Sequence, residues 1–145
     1  MSEFREPIHR QVTYSAAKAW RERHGRYRLV GSKCAACGAL YFPRRVSCPS
    51  CQSRDMNTYE CVQTGTVAVL WPQVTMLRMV GFADLPPRYV CIVRLDDGVE
   101  LETELVDVTP EQAQVGLRVR LMFRRLRRDG NGTELYGYKF APLEG

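Results

Sequence analysis

The sequence predicts a mainly β protein: a short N-terminal helix, a small cysteine-stapled ribbon, then a five-stranded closed barrel of the OB type. Three observations carry this. Four of the six cysteines form two close pairs, Cys34-Ala-Ala-Cys37 and Cys48-Pro-Ser-Cys51. Apolar residues alternate with polar ones through Val99–Val106 and again through Leu117–Phe123, the period of a half-buried strand. Turn signals separate these runs at intervals that fit a small barrel. The expected divisions are residues 1–30 for the helical segment, 31–56 for the ribbon and 57–145 for the barrel.

Residues 1–14 are polar and mixed, with no clear period. Ser15 to His24 then reads as a short helix. Ser15 is placed to cap it, Ala16, Ala17 and Ala19 favour it, and Gly25 is placed to stop it. Trp20 is its expected apolar anchor. A helix of this length is not stable alone, so it must dock on the body of the protein or on a partner.

The cysteine pairs give the chemistry. Two residues between paired cysteines let one tight turn aim both sulfurs at a point. Two such turns facing each other place four thiolates at tetrahedral corners, the geometry Zn²⁺ prefers. Cys34, Cys37, Cys48 and Cys51 are therefore the expected ligands of one structural zinc in a rubredoxin-like ribbon. Gly38 follows the first pair, where the turn favours a residue tolerant of positive φ. Four cysteine ligands leave no open coordination position, so the site reads as structural, a staple for a segment too small for its own core. Lys33, Arg44 and Arg45 lie beside the ligands and favour deprotonated sulfur. Iron binds the same thiolates, and spacing alone leaves zinc and iron both open. No signal peptide precedes the cysteines, which argues against disulfides and for a cytoplasmic location. Cys61 and Cys91 lack a neighbouring ligand and read as small buried hydrophobes.

Leu40–Pro43 is the expected ribbon strand. From about Thr58 the pattern turns to strands. Thr66–Leu70 follows Gly65, and Arg88–Leu95 ends at the Asp96-Asp97-Gly98 turn. Val99–Val106 presents Glu100, Glu102 and Glu104 on its wet face. Thr109–Gly116 is a short helical or turn segment. In the next strand Leu117, Val119, Leu121 and Phe123 face inward and Arg118 and Arg120 outward. Asp129-Gly130-Asn131-Gly132 is a second turn, and Leu135–Phe140 closes the barrel with Tyr136, Tyr138 and Phe140 as further core candidates.

Composition bounds the partners. The 145 residues are 45% hydrophobic, a globular content, and no apolar run reaches the roughly 18 residues of a membrane span. The net charge is +5, carried mostly by arginine, whose planar fork pairs with phosphate or carboxylate. Neither paired carboxylates, a Ser-His-Asp order nor a phosphate-cradling glycine loop stands out. Glu100, Glu102 and Glu104 read as a solvated or interface face.

Taken in order, these pieces resemble the acyl-CoA-associated zinc-ribbon/OB-fold family. The resemblance runs from about Trp20 to Pro142. It rests on Gly25-Arg26-Tyr27-Arg28-Leu29, the two cysteine pairs, Phe42-Pro43-Arg44, Gly65-Thr66-Val67, Pro86-Pro87, Leu95-Asp96-Asp97-Gly98 and Val115-Gly116-Leu117-Arg118-Val119. It implies a non-catalytic small subunit beside a thiolase or thiolase-like enzyme that carries the catalytic cysteine and histidines. The implied setting is a hetero-oligomer, two plus two on a dimeric thiolase, in degradation of a bulky aromatic or steroid-like acyl-CoA. Phe42, Arg44, Arg45, Arg118 and Arg120 are then the candidates for meeting CoA phosphates or an acidic partner, with the CoA ester shared between the chains. A second reading is a single-stranded nucleic-acid module, since OB-folds stack bases on aromatics in basic grooves and Arg124-Arg125-Leu126-Arg127-Arg128 is a basic cluster; nucleic acid is the less favoured partner. A third is an enzyme in its own right or an electron carrier.

Overall fold

The computed structural model describes residues 15–73, 88–128 and 134–143. Pro86-Pro87 and the Asp129–Gly132 turn lie outside them. The elements in order are α1 (Ala16–Arg28), β1 (Val30–Cys34), β2 (Leu40–Tyr41), β3 (Met56–Glu60), β4 (Thr64–Gln73), β5 (Arg88–Leu95), β6 (Glu100–Leu105), β7 (Arg118–Arg128) and β8 (Glu134–Pro142). Strands β2-β1-β3 form the ribbon sheet, and β4-β5-β6-β8-β7 close into a barrel. That is the mainly β, OB-type architecture expected.

The helix corrects the sequence reading at three points. It runs through Gly25 to Arg28 and stops at Leu29, which takes the left-handed conformation at φ 54°. Leu29 is fully buried, so the side chain that ends the helix also anchors it. Its N–H donates to the Gly25 carbonyl at 3.1 Å. Ser15 occupies the N-cap position but makes no side-chain capping bond. Trp20, the expected anchor, is 67% exposed.

The strand pattern expected from Thr58 begins at Met56, and its first strand belongs to the ribbon. β3 pairs antiparallel with β1 from Val30↔Glu60 to Cys34↔Met56. Gly31 sits in the middle of this sheet, where a Cβ would collide with the Tyr41 backbone carbonyl.

In the barrel, β5 falls on Arg88–Leu95, the strand expected before the Asp96-Asp97-Gly98 turn. Its buried face (Cys91, Val93, Leu95) meets Leu101 and Leu105 of β6, Val119 of β7 and Phe140 of β8. Gly65 pairs with Leu95 on one side and Val119 on the other, and a Cβ there would strike the Arg94 carbonyl. The parallel Leu105↔Phe140 pairing joins β6 to β8 and closes the barrel. Thr109–Gly116 forms turns, with Gly116 at φ 91°. Phe123 and Tyr136 depart from their inward assignment: they are 47% and 41% exposed. Strands β7 and β8 remain paired as far as Arg128↔Glu134; the Phe123 ring meets Tyr27 of the helix, and Tyr136 stacks on Phe123.

Cys61 and Cys91 are buried, as expected. Burial pushes their thiols up, Cys61 to about 11 and Cys91 to about 12. Glu104 lies outside the barrel core yet is half-buried, held between Arg88 and the nearly buried Lys139. Burial alone would raise its pKa, but these two cations hold it below the ordinary carboxylate value.

Candidate metal centre and its surroundings

The two cysteine turns repeat one hydrogen-bond pattern. In the first, the Gly38 N–H donates to the Cys34 carbonyl at 2.9 Å, and the Cys34 N–H donates to Ala39 at 2.9 Å. In the second, the Gln52 N–H donates to Cys48 and the Cys48 N–H to Ser53, both at 2.8 Å. Gly38 at φ 75° and Gln52 at φ 60° occupy the equivalent left-handed positions. Glycine announces the first position in the sequence; glutamine at the second gives no such signal.

These turns bring the sulfurs of Cys34, Cys37, Cys48 and Cys51 within 4.8 Å of one another. Cys34 and Cys51 are 3.6 Å apart and Cys37 and Cys48 3.5 Å. A disulfide requires about 2.05 Å. A tetrahedron with Zn–S bonds of about 2.3 Å has edges of about 3.8 Å, close to the separations found. Cys34 and Cys48 are buried, whereas Cys37 and Cys51 face outward.

The electrostatics also fit a cation. The Tyr41 hydroxyl, 3.4 Å from Cys48 Sγ, holds that thiol down at about 6. The second cysteine of each pair moves the other way. At Cys51 a backbone bond from Ser53 favours the thiolate, but the Cys34 sulfur and desolvation push it up to about 12. At Cys37 the Ala39 backbone bond is likewise outweighed by the Cys48 and Cys34 sulfurs. Four sulfurs packed this closely cannot all ionise without a positive charge among them, and a thiophilic divalent ion supplies one. Tyr41, itself held by Ser50 at 2.7 Å, is the supporting residue that the cysteine spacing does not reveal.

Beyond the sulfurs, α1, the ribbon and the barrel enclose a cleft of about 980 Å³. Phe42 and Arg44 line it from the ribbon, Arg21 and Arg26 from the helix, and Glu102 and Tyr138 from the barrel. Phe42 packs edge-on against Tyr138 at 5.6 Å between centroids. Of the other arginines singled out in the sequence, Arg45 is exposed and uses its backbone N–H on buried Ser32 at 3.0 Å. Arg118 forms a two-pronged pair with Asp96 at 2.6 and 2.9 Å, so its guanidinium is already engaged. Arg120 is exposed on β7, and neither it nor Arg118 or Arg45 lines the cleft. No helix among the described residues is long and apolar enough to cross a membrane.

Comparison with known proteins agrees with this anatomy. Residues 22–57 match the family model described as the ChsH2 rubredoxin-like zinc ribbon domain. Residues 63–124 match that of the ChsH2 C-terminal OB-fold domain. A DUF35 domain-containing scaffold protein of Methanocaldococcus jannaschii is 35% identical over 88% of this chain and 90% of its own length. A scaffold protein of the same description from Pyrococcus furiosus is 36% identical over 88% and 92%. A probable enoyl-CoA hydratase alpha subunit of Thermomonospora curvata is 34% identical over 70% of this chain, which spans 31% of that protein. Among solved structures, a chain of the Ltp2-ChsH2(DUF35) aldolase superposes with a TM-score of 0.64 at 32% identity, covering 86% of this chain and 89% of that one. With its cysteine ribbon and closed barrel matched in order along nearly the whole chain, the protein belongs to the DUF35 scaffold family of ChsH2-like zinc-ribbon/OB-fold proteins.

Proposed function

We propose that this chain is a non-catalytic, zinc-stapled subunit of an acyl-CoA enzyme, bound to a thiolase-like partner that carries out the chemistry. The observation that carries the reading is the near end-to-end likeness to a chain of the Ltp2-ChsH2 aldolase. The scaffold descriptions of the archaeal relatives support a structural role, and the hydratase subunit of Thermomonospora curvata supports acyl-CoA chemistry. Cys34, Cys37, Cys48 and Cys51 hold the zinc, which has no open position for substrate. The two remaining thiols, Cys61 and Cys91, are buried and protonated. The partner acts on a bulky, aromatic or steroid-like acyl-CoA, making or breaking a carbon–carbon bond next to the thioester, in a two-plus-two assembly. Where the CoA ester reaches this chain, Phe42 and Arg44 at the cleft are best placed to meet its nucleotide.

Recovery of the tagged chain from its native host tests this, with co-purifying proteins identified and their turnover of an acyl-CoA panel measured. A stoichiometric thiolase-like partner is the expected result. Recovery of the chain alone, or with nucleic acid, contradicts it.

A further inference from the structure

Trp20 and Tyr27 stand seven residues apart on α1, two turns along one side of the helix. Tyr27 meets Phe123 edge-on at 4.9 Å between centroids, and Phe123 stacks on Tyr136 at 5.5 Å. Tyr27, Phe123 and Tyr136 thereby form an aromatic cluster shared by the helix and the β7–β8 pair, its rings 41–47% exposed, and Trp20, 67% exposed, extends this face two turns along α1. A run of exposed aromatics across two elements marks an interaction surface.

Its charge selects the occupant. Along α1 stand Lys18, Arg21, Arg23, Arg26 and Arg28, with Glu22 as the sole acid. Glu22 is engaged by Arg26 and Lys18. Among the described residues, Arg21 and Arg23 donate only to backbone carbonyls of their own helix, at 3.2 and 2.6 Å. A second copy would set cations against cations on a self-complementary face. A nucleic-acid strand needs open ring faces for its bases, whereas Phe123 stacks on Tyr136 and Trp20 lies under the Arg23 guanidinium at 3.7 Å.

We infer that the Trp20–Tyr27–Phe123–Tyr136 face is where this chain docks on its catalytic partner, and that the partner presents an apolar centre rimmed by carboxylates. This rests on the subunit reading above and adds the surface and the partner's chemistry.

The test uses the full chain and the purified thiolase-like protein that co-purifies with it. Trp20→Ala and Phe123→Ala are compared with a control on the ribbon, Val46→Ala, a residue 88% exposed. Metal content and circular dichroism confirm folding, and a photo-crosslinking residue at position 20 gives a second readout. Loss of a buried aromatic anchor weakens binding by roughly 30-fold or more. We expect that loss for both aromatic variants and none for the control, with the crosslink on the catalytic subunit and binding of wild type falling as salt rises. Equal affinity of wild type and both variants, with no crosslink, overturns the docking face while leaving the subunit reading intact. Failure of the wild-type chain to bind any thiolase-like protein overturns both. Trp20→Ala abolishing self-association or binding of single-stranded DNA instead overturns the assignment of the occupant.

Discussion

The Tyr59 hydroxyl, on the ribbon, donates a hydrogen bond to Asp97 Oδ2 in the β5–β6 turn of the barrel at 3.2 Å. The same oxygen accepts the Val62 N–H at 2.9 Å, and Oδ1 accepts the Val99 N–H at 3.2 Å. One carboxylate thus joins the ribbon, the connecting segment and the barrel. Replacing Asp97 with Ala leaves these donors without their partner and is expected to cost about 1–3 kcal/mol. Urea unfolding of the metal-loaded protein measures this. A ribbon that melts separately from the barrel in that variant is the accompanying sign.

The neighbouring Asp96 gives a pH signature. The Arg118 guanidinium, and then the Thr64 hydroxyl, lower its pKa from 3.8 to about 2. Because the folded-state value is depressed, the contribution is present above about pH 4 and fades as pH falls toward 2. The pair is exposed, so salt weakens it. The gap in thermal midpoint between wild type and Asp96→Asn should therefore close over that range. Comparing the two proteins at each pH cancels the loss of metal that acid also causes.

Chelation provides a thiol count. With the metal removed under native conditions, the four ribbon cysteines should react with an aromatic disulfide reagent. Cys91, buried in the barrel with its thiol near 12, should stay silent until the barrel unfolds, whereas Cys61, whose sulfur lies against Gly31 of the ribbon, should become reactive as the unstapled ribbon opens. Elemental analysis of the untreated protein should show one zinc per chain; iron in its place would replace zinc in the assignment.

Glu104 is the buried-charge test. Glu104→Gln keeps the shape but leaves nearly buried Lys139 without its carboxylate. Breaking a buried pair from one side costs roughly 3–5 kcal/mol. Arg88 and Lys139 hold the Glu104 pKa down, so the wild type's advantage over this variant should hold near neutral pH and shrink as acid protonates the carboxylate. Chemical unfolding at pH 7 and at successive steps below pH 4.5 reads both effects.

What the sequence revealed was local. Two cysteines three apart define a turn wherever they occur, and alternation through Val99–Val106 reports a buried face without knowledge of what covers it. Arg88–Leu95 stood out as an apolar run ending at the Asp96-Asp97-Gly98 turn. The remainder depends on contacts between distant residues. Gly25 reads as a helix stop, but burial of Leu29 carries the helix past it. Phe123 continues an inward alternation, yet its strand outruns the barrel and meets Tyr27, 96 positions earlier in the chain. The Tyr59–Asp97 bond spans 38 positions, and neither residue signals the other. Tyr41 supports Cys48 across the ribbon, where nothing in the cysteine motif calls for a tyrosine.

The most direct measurement is turnover of acyl-CoA by the co-purified catalytic partner, by this chain, and by the two recombined. The account requires the chain alone to be inert and the partner to lose activity when stripped of it. Zinc-loaded chain should restore that activity, and chain with Cys34→Ser should not. Full activity of the partner alone, or turnover by the isolated chain, would contradict it.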